Sequence, residues 1–170
     1  MARYRLLAFV IVSSLLVAPA MAEITGQPQI IDGDTLELNG QRIDLYGIDA
    51  PELEQTCSRA GREYPCGKVA RAALWDLVAG SEVVCEPVEG AEGDAGAIVA
   101  ECSAGGFSLN QNMVYTGWAL ADPSVSDRFN EVQEGAKKAR RGLWRGKFEP
   151  PRKWRAARRG KAPVEDAKAE

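Results

Sequence analysis

Apolar and polar residues alternate along the first part of the chain in a way that predicts a β-meander. The dipeptide Asn39-Gly40 is typical of a two-residue hairpin loop between two of these strands. In the strand after this loop, Ile43 falls on one face, and Arg42 and Asp44 fall on the other. The three predicted strands cover residues 27–31, 35–38 and 42–48.

Helical spacing replaces this alternation further along the chain. Helices are predicted over residues 68–78, 109–116 and 126–140, and two further strands over 82–88 and 97–102. This order of elements predicts an α+β fold: a five-stranded OB-fold β-barrel with a helix between strands 3 and 4 and two C-terminal helices. Such a fold says little by itself about chemistry.

Residues 1–22 have the pattern of a secretory signal peptide: two arginines, a short apolar run and Ala-Met-Ala before the expected cleavage point. The alternative is an uncleaved N-terminal anchor. Cleavage predicts an exported protein, periplasmic or extracellular, without a transmembrane helix in the mature chain. We expect one domain over residues 23–155 and a charged, disordered tail over 156–170.

The four cysteines agree with export, because an even number of cysteines outside the cytosol suggests disulfides. Three pairings are open, and distance along the chain favours Cys57–Cys66 and Cys85–Cys102. Metal binding is the competing interpretation, but the sequence has no histidine and no two cysteines with two residues between them.

Charge is distributed unevenly along the chain. Residues 23–136 hold 6 Lys/Arg and 20 Asp/Glu, a net charge of −14, whereas residues 137–161 hold 12 Lys/Arg and one acid, a net charge of +11. The basic segment is either a solvated surface or a contact for nucleic acid or another anionic surface. The acidic part would repel phosphates unless a metal ion intervenes.

Two short acidic motifs carry the candidate chemistry: Asp-Gly-Asp-Thr at residues 32–35 and Gly-Ile-Asp-Ala-Pro-Glu at 47–52. A meander brings the start of its second strand beside the end of its third, so we expect Asp34, Asp49 and Glu52 to converge. Clustered carboxylates repel one another unless a proton or a cation neutralises them. Oxygen ligands without histidine favour calcium or magnesium over zinc.

With these motifs in this order, the chain resembles the staphylococcal nuclease family over roughly residues 28–155. Further similarity lies in the cysteine-containing insert at 57–66, in Gly-Trp-Ala at 117–119 and in Arg-Gly-Leu-Trp at 141–144. The resemblance implies an OB barrel and calcium-dependent hydrolysis of DNA and RNA. By motif position it implies that Asp34, Asp49 and the Ala50 carbonyl bind calcium, and that Glu52 orients or deprotonates the attacking water.

The sequence departs from the family where phosphate would be bound. Asp44 and Ala97 stand where the family has arginines, and Ala95 and Asp122 stand where it has aromatic residues. No lysine or arginine occurs between Arg71 and Arg128 to replace them. Losing one preorganised donor typically lowers the rate about 10²–10³-fold, so we expect activity to be weak or absent.

Three hypotheses follow for the function. In the first, the protein is a weak calcium-dependent nuclease. In the second, it is an inactive pseudonuclease that binds nucleic acid or protein, and the basic 137–161 segment carries any affinity for nucleic acid. In the third, the metal ion serves the stability of the domain alone. Arg42 either pairs with Asp44 on the strand surface or reaches the site as a substitute phosphate contact.

Overall fold

A curled sheet that forms half of a barrel is the body of the molecule. The computed structural model describes residues 22–93 and 96–159. The strands in chain order are β1 Ile24–Gly26, β2 Gln29–Ile30, β3 Thr35–Leu38, β4 Gln41–Leu45, β5 Ile48–Asp49, β6 Cys57–Arg59, β7 Arg62–Tyr64, β8 Val83–Pro87, β9 Ile98–Ala104, β10 Phe107–Ser108 and β11 Leu120–Ala121.

The main sheet has the order β1-β8-β9-β4-β3-β2, with β10 added to β9. Its neighbouring strands are antiparallel except β4 and β9, which pair in parallel with Ile43 opposite Ile98. Ile43 and Leu45 point into the core at 0% and 3% exposure, as the alternation predicts. The predicted α+β class and the OB-fold are confirmed.

The helices are α1 Cys66–Val78, α2 Leu109–Thr116, α3 Asn130–Lys138 and α4 Pro151–Arg159, with a 3₁₀ turn over Gly142–Arg145 between the last two. The first helix lies between the meander and β8, as predicted. The second begins where the Ser108 side chain accepts a hydrogen bond from the Gln111 N–H at 3.1 Å, and it ends at the left-handed Gly117. The third starts four residues later than predicted, because side-chain hydrogen bonds hold residues 122–128 in turns.

The fourth helix was not predicted. It begins at the buried Pro151, a residue suited to the first turn of a helix, and it continues to Arg159, past the domain boundary expected at residue 155. The remainder of the predicted tail lies outside the described residues, as does the predicted signal peptide apart from Ala22. No helix in the described part of the chain is long and apolar enough to cross a membrane.

Both favoured disulfide pairings are confirmed. Cys85 and Cys102 face each other across β8 and β9, with their Cα atoms 4.1 Å apart. Cys57 and Cys66 join β6 to the start of α1, with their Cα atoms 5.5 Å apart, and so close the β6–β7 hairpin at its base.

One fully buried polar side chain ties the barrel together. Asn110, in the first turn of α2, accepts a hydrogen bond from the Cys102 N–H at 2.9 Å. Its amide group donates to the carbonyls of Tyr46 at 3.0 Å and Ala100 at 3.3 Å. The side chain therefore satisfies backbone groups of β9 and of the turn after β4, where the parallel pairing of the two strands ends.

We predict that Asn110→Ala lowers the free energy of unfolding by about 3 kcal/mol, because it leaves buried backbone groups without partners. The matched control is Asn112→Ala, which removes one hydrogen bond on a less buried face of the same helix. This control should cost about 1 kcal/mol or less. Urea unfolding followed by circular dichroism measures both, and equal losses would contradict the role given to Asn110.

Candidate functional site

The predicted carboxylates lie around a small polar cavity of about 170 Å³, called the carboxylate cavity below. The cavity opens where β3 and β5 begin, beside the end of β4. Its charged lining consists of six acids and two arginines: Asp32, Asp34, Asp44, Asp49, Glu52, Asp122, Arg42 and Arg155.

The first acidic motif folds into a turn that aims Asp34 at the second motif. The Asp34 N–H donates to the side chain of Asp32 at 3.1 Å, and the Asp34 carboxylate accepts from the Ala50 N–H at 2.5 Å. Burial raises the pKa of Asp34 well above its ordinary value, and the charge of Asp32 adds to this, although the Ala50 hydrogen bond opposes it.

Two glycines allow the close packing on which this geometry depends. A Cβ on Gly33 would lie 2.7 Å from the Cβ of Ala50 and 2.8 Å from that of Ala70. A Cβ on Gly67 would lie 1.7 Å from the backbone oxygen of Glu52. The start of α1 can therefore approach both acidic motifs, which fixes the backbone of Asp34 and Glu52 relative to each other.

Asp49 is held by β5 on one side and by α4 on the other. The pairing of β5 with β11 places Asp49 opposite Leu120. One carboxylate oxygen accepts the backbone N–H of Arg152 at 3.2 Å, so the anion lies at the N-terminus of α4. The other oxygen is 2.8 Å from the Arg155 guanidinium. Burial raises the pKa of Asp49, and the contacts with these arginines oppose the rise.

Arg155 bridges two of the predicted site residues. The same guanidinium nitrogen that contacts Asp49 donates to the Glu52 carboxylate at 2.6 Å. Burial alone would lower the pKa of Arg155, but the contacts with Glu52 and Asp49 outweigh it and raise the pKa above its ordinary value. Helix α4, which was not predicted, thus places the Arg155 guanidinium between Asp49 and Glu52.

Asp122 forms an ion pair with a second arginine of α4. The Arg152 guanidinium forms an ion pair with Asp122 and donates to Ser124 at 2.9 Å. The Asp122 side chain also accepts hydrogen bonds from the backbone and hydroxyl of Ser124. The acid that stands in place of the family's aromatic residue is therefore a docking point for α4.

Of the other predicted departures from the family, Asp44 lines the cavity. Asp44 accepts a hydrogen bond from the Thr35 hydroxyl at 3.3 Å and lies 3.7 Å from Nε of Arg42. Arg42 thus pairs with Asp44, although it also lines the cavity. Ala97 is buried at 8% exposure, and Ala95 lies outside the described residues.

Gln55 connects the acidic loop to the segment before α4, and sequence reasoning did not single it out. It is fully buried, and its amide donates to the Glu149 carbonyl at 2.7 Å while its side-chain oxygen accepts from the Glu52 N–H at 3.3 Å. Arg152 and Arg155 were also not singled out. Both belong to the basic segment 137–161, but a run of basic residues does not predict which acid each side chain will contact.

The structure thus brings Asp34, Asp49 and Glu52 to one cavity, together with the departures Asp44 and Asp122. The arrangement does not fit a calcium ion as it stands, because both carboxylate oxygens of Asp49 already have partners on α4. Within residues 22–93 and 96–159, no three acidic, histidine or cysteine side chains are grouped closely enough to hold one metal ion.

Comparison with known proteins agrees with this fold and these motifs. Residues 42–146 match the model of the staphylococcal nuclease homologue family. The chain is also 33% identical over 135 residues to the succinoglycan biosynthesis protein ExoI of Rhizobium meliloti (strain 1021), an alignment that covers 78% of this chain and 70% of that protein. The protein therefore belongs to the staphylococcal nuclease family, whose members are generally calcium-dependent and bind nucleic acids.

The raised pKa of Asp34 predicts how Asp34→Asn changes the pH dependence of stability. Below the ordinary pKa of aspartate, both the folded and unfolded states are protonated, so the charge has no effect. As pH rises towards the raised pKa, the unfolded state releases its proton more readily and the wild type loses stability. Asp34→Asn should therefore gain stability relative to wild type across this window.

Urea unfolding at a series of pH values from about 4 to about 8 measures this difference, because the series starts near the ordinary pKa of aspartate. The matched control is Asp76→Asn, an exposed aspartate on α1. This variant measures the effect of the same chemical change at an exposed position outside the cavity. If the stability of Asp34→Asn relative to wild type does not increase as pH rises across this range, the prediction is wrong.

Proposed function

We propose that this protein is an exported nucleic-acid-binding member of the staphylococcal nuclease family in which calcium-dependent phosphodiester hydrolysis is weak or absent. The position of Arg155 carries this proposal. Its guanidinium contacts both Asp49 and Glu52, the residues that by family resemblance would bind the metal ion and activate water.

Hydrolysis would need these two carboxylates to be available. A metal ion would require an oxygen of Asp49, and water activation would require an oxygen of Glu52 within hydrogen-bond reach of the nucleophile. Arg155 engages one oxygen of each carboxylate, and the N-terminus of α4 engages the second oxygen of Asp49. While α4 is docked, both oxygens of Asp49 are engaged, and one oxygen of Glu52 is held in an ion pair that opposes its action as a base.

The charge of the cavity also opposes the approach of phosphate. Six acids surround it, and the positive charge of Arg155 is already shared between two of them. Asp44 places a negative charge where the family has an arginine that would make bidentate contacts with phosphate. Affinity for nucleic acid is therefore expected on a basic surface of the protein outside this cavity.

Export is part of the same proposal. The two disulfides are typical of proteins that fold outside the reducing cytosol. The signal-like pattern of residues 1–22 supports secretion to the periplasm or the medium.

A second candidate function is a weak calcium-dependent nuclease that acts when α4 is released. It is favoured by the presence of Asp34, Asp49 and Glu52 around one cavity. The ion pairs that hold α4 are partly exposed, and such pairs typically contribute only about 0–1 kcal/mol each. Release of the helix would give calcium access to Asp49.

A cleavage assay separates the two candidates. With a single-stranded oligonucleotide and saturating calcium, we expect the wild type to cleave no faster than Glu52→Gln. The matched control is Glu54→Gln, an exposed acid in the same loop that lies outside the cavity lining. Calcium-dependent cleavage by the wild type and by Glu54→Gln, but not by Glu52→Gln, would contradict the first proposal and establish the second.

The variant Asp44→Arg shows whether the remaining site is intact. It restores one family arginine at a partly exposed position, whereas Ala97 is buried and leaves little room for one. If only the Asp44→Arg protein cleaves, the missing phosphate contact silences the wild type, and the contacts of Arg155 do not block hydrolysis.

A further inference from the structure

A cleft of about 930 Å³ shares no lining residue with the carboxylate cavity. Four arginines and a single acid, Glu63, line it. The cleft also contains the side chains of Tyr64 and Trp118, which are both partly buried. We call it the arginine cleft, and its four arginines are Arg59, Arg62, Arg141 and Arg145.

One wall of the cleft is the β6–β7 hairpin, where two like charges face each other. Arg59 and Arg62 are directly opposite in the register of the hairpin, and both side chains are exposed. Like charges in this position destabilise a hairpin. Neither arginine has an ion-pair partner among residues 22–93 and 96–159, so their juxtaposition has no explanation within the described fold.

The other wall is formed by the 3₁₀ turn and the residue before it. The Arg141 guanidinium lies over the ring of Tyr115 at 4.0 Å, and its Nε donates to the Tyr115 carbonyl. Nε of Arg145 donates to the Arg140 carbonyl at 3.2 Å. Each guanidinium is oriented by a carbonyl and keeps its other N–H groups for a ligand, because no carboxylate in the described chain pairs with it.

The two walls are fixed relative to each other. The Ser58 N–H donates to the Lys147 carbonyl at 2.8 Å, and the Lys147 N–H donates back to Ser58 at 2.7 Å. A Cβ on Gly146 would lie 2.2 Å from the Ser58 carbonyl oxygen, so glycine permits this approach. The disulfide Cys57–Cys66 closes the base of the hairpin. The backbone that carries the arginines is therefore fixed before binding, which lowers the entropy lost on binding.

We propose that the arginine cleft binds single-stranded nucleic acid, with its arginines on the backbone phosphates and with Tyr64 and Trp118 facing the bases. This assignment deepens the proposed function and rests on it. Arginine forks match phosphate oxygens, and partly exposed aromatic rings stack on bases without sequence preference. A single strand offers both groups to one narrow cleft, whereas a duplex hides its bases inside a rigid helix.

The carboxylate cavity and the arginine cleft then use their arginines differently. The carboxylate cavity uses Arg152 and Arg155 to neutralise its own acids, whereas the arginine cleft keeps Arg141 and Arg145 available for a ligand. Four arginines of the basic 137–161 segment are divided between these two sites, so we do not expect the segment to act as one binding surface.

The test is the salt dependence of binding to a fluorescently labelled oligothymidylate of roughly a dozen nucleotides, measured by anisotropy with EDTA present. We compare wild type with the double variant Arg59→Ala/Arg62→Ala. The matched control is Lys138→Ala/Lys153→Ala, which removes the same charge from exposed residues outside the cleft lining. A second cleft variant, Arg145→Ala, tests the opposite wall.

We expect the hairpin variant to bind about tenfold more weakly at moderate salt, with the slope of log K against log salt reduced by about 1.4 for two lost contacts to a single strand. The control should change affinity by no more than about twofold. The hairpin variant should melt at the same temperature as wild type or higher, since it removes a repulsion, so unfolding cannot account for its weaker binding.

Equal affinity and slope for the hairpin variant, the control and wild type would overturn the cleft assignment while leaving the proposed function in place. Failure of the wild type to bind the oligonucleotide would overturn both. Binding of an acidic polysaccharide such as alginate through the cleft, with no binding of the oligonucleotide, would also overturn the assignment. Calcium-dependent cleavage by the wild type would contradict the proposed lack of hydrolysis, but it would not change the assignment of the arginine cleft as the binding site for the nucleic acid.

Discussion

The contact of Arg155 with Asp49 and Glu52 is the interaction on which the candidate site depends. Without this cation, two partly buried carboxylates would lie side by side in a cavity that four further acids also line. Removing one partner of such a pair leaves the others uncompensated, which is costly where water is partly excluded. The contact also positions α4, because the helix N-terminus meets Asp49 and the buried Gln55 holds the segment before it.

The uneven charge of the chain has a structural explanation in this arrangement. An acid at position 122 repels phosphate, but it also attracts Arg152 of α4. The acidic body and the basic C-terminal segment therefore neutralise each other where α4 contacts Asp49, Glu52 and Asp122. The four arginines of the arginine cleft have no acidic partner among the described residues, and hairpin register, a disulfide and a glycine contact fix the backbone that carries them.

Local patterns predicted much of the fold, because most of its elements are specified by nearby residues. Alternation gave β3 and β4, helical spacing gave α2, and cysteine spacing favoured both disulfides. The meander also predicted that Asp34, Asp49 and Glu52 would share a cavity. The sequence did not predict β1, whose pairing with β8 is long-range, or α4, which is too polar to show an apolar stripe. Arg155 is 103 residues from Glu52, and no local pattern indicates such a contact.

The most direct test is whether calcium stabilises the protein only after Arg155 is removed. Melting temperatures of wild type, Arg155→Ala and the matched Arg158→Ala, an exposed arginine of the same helix that stacks on Trp154, are measured with and without calcium. Calcium should raise the melting temperature of Arg155→Ala alone, and adding Asp49→Asn should abolish the rise. An equal rise in wild type and Arg155→Ala would contradict the account, because Arg155 would then not compete with the metal ion for these carboxylates.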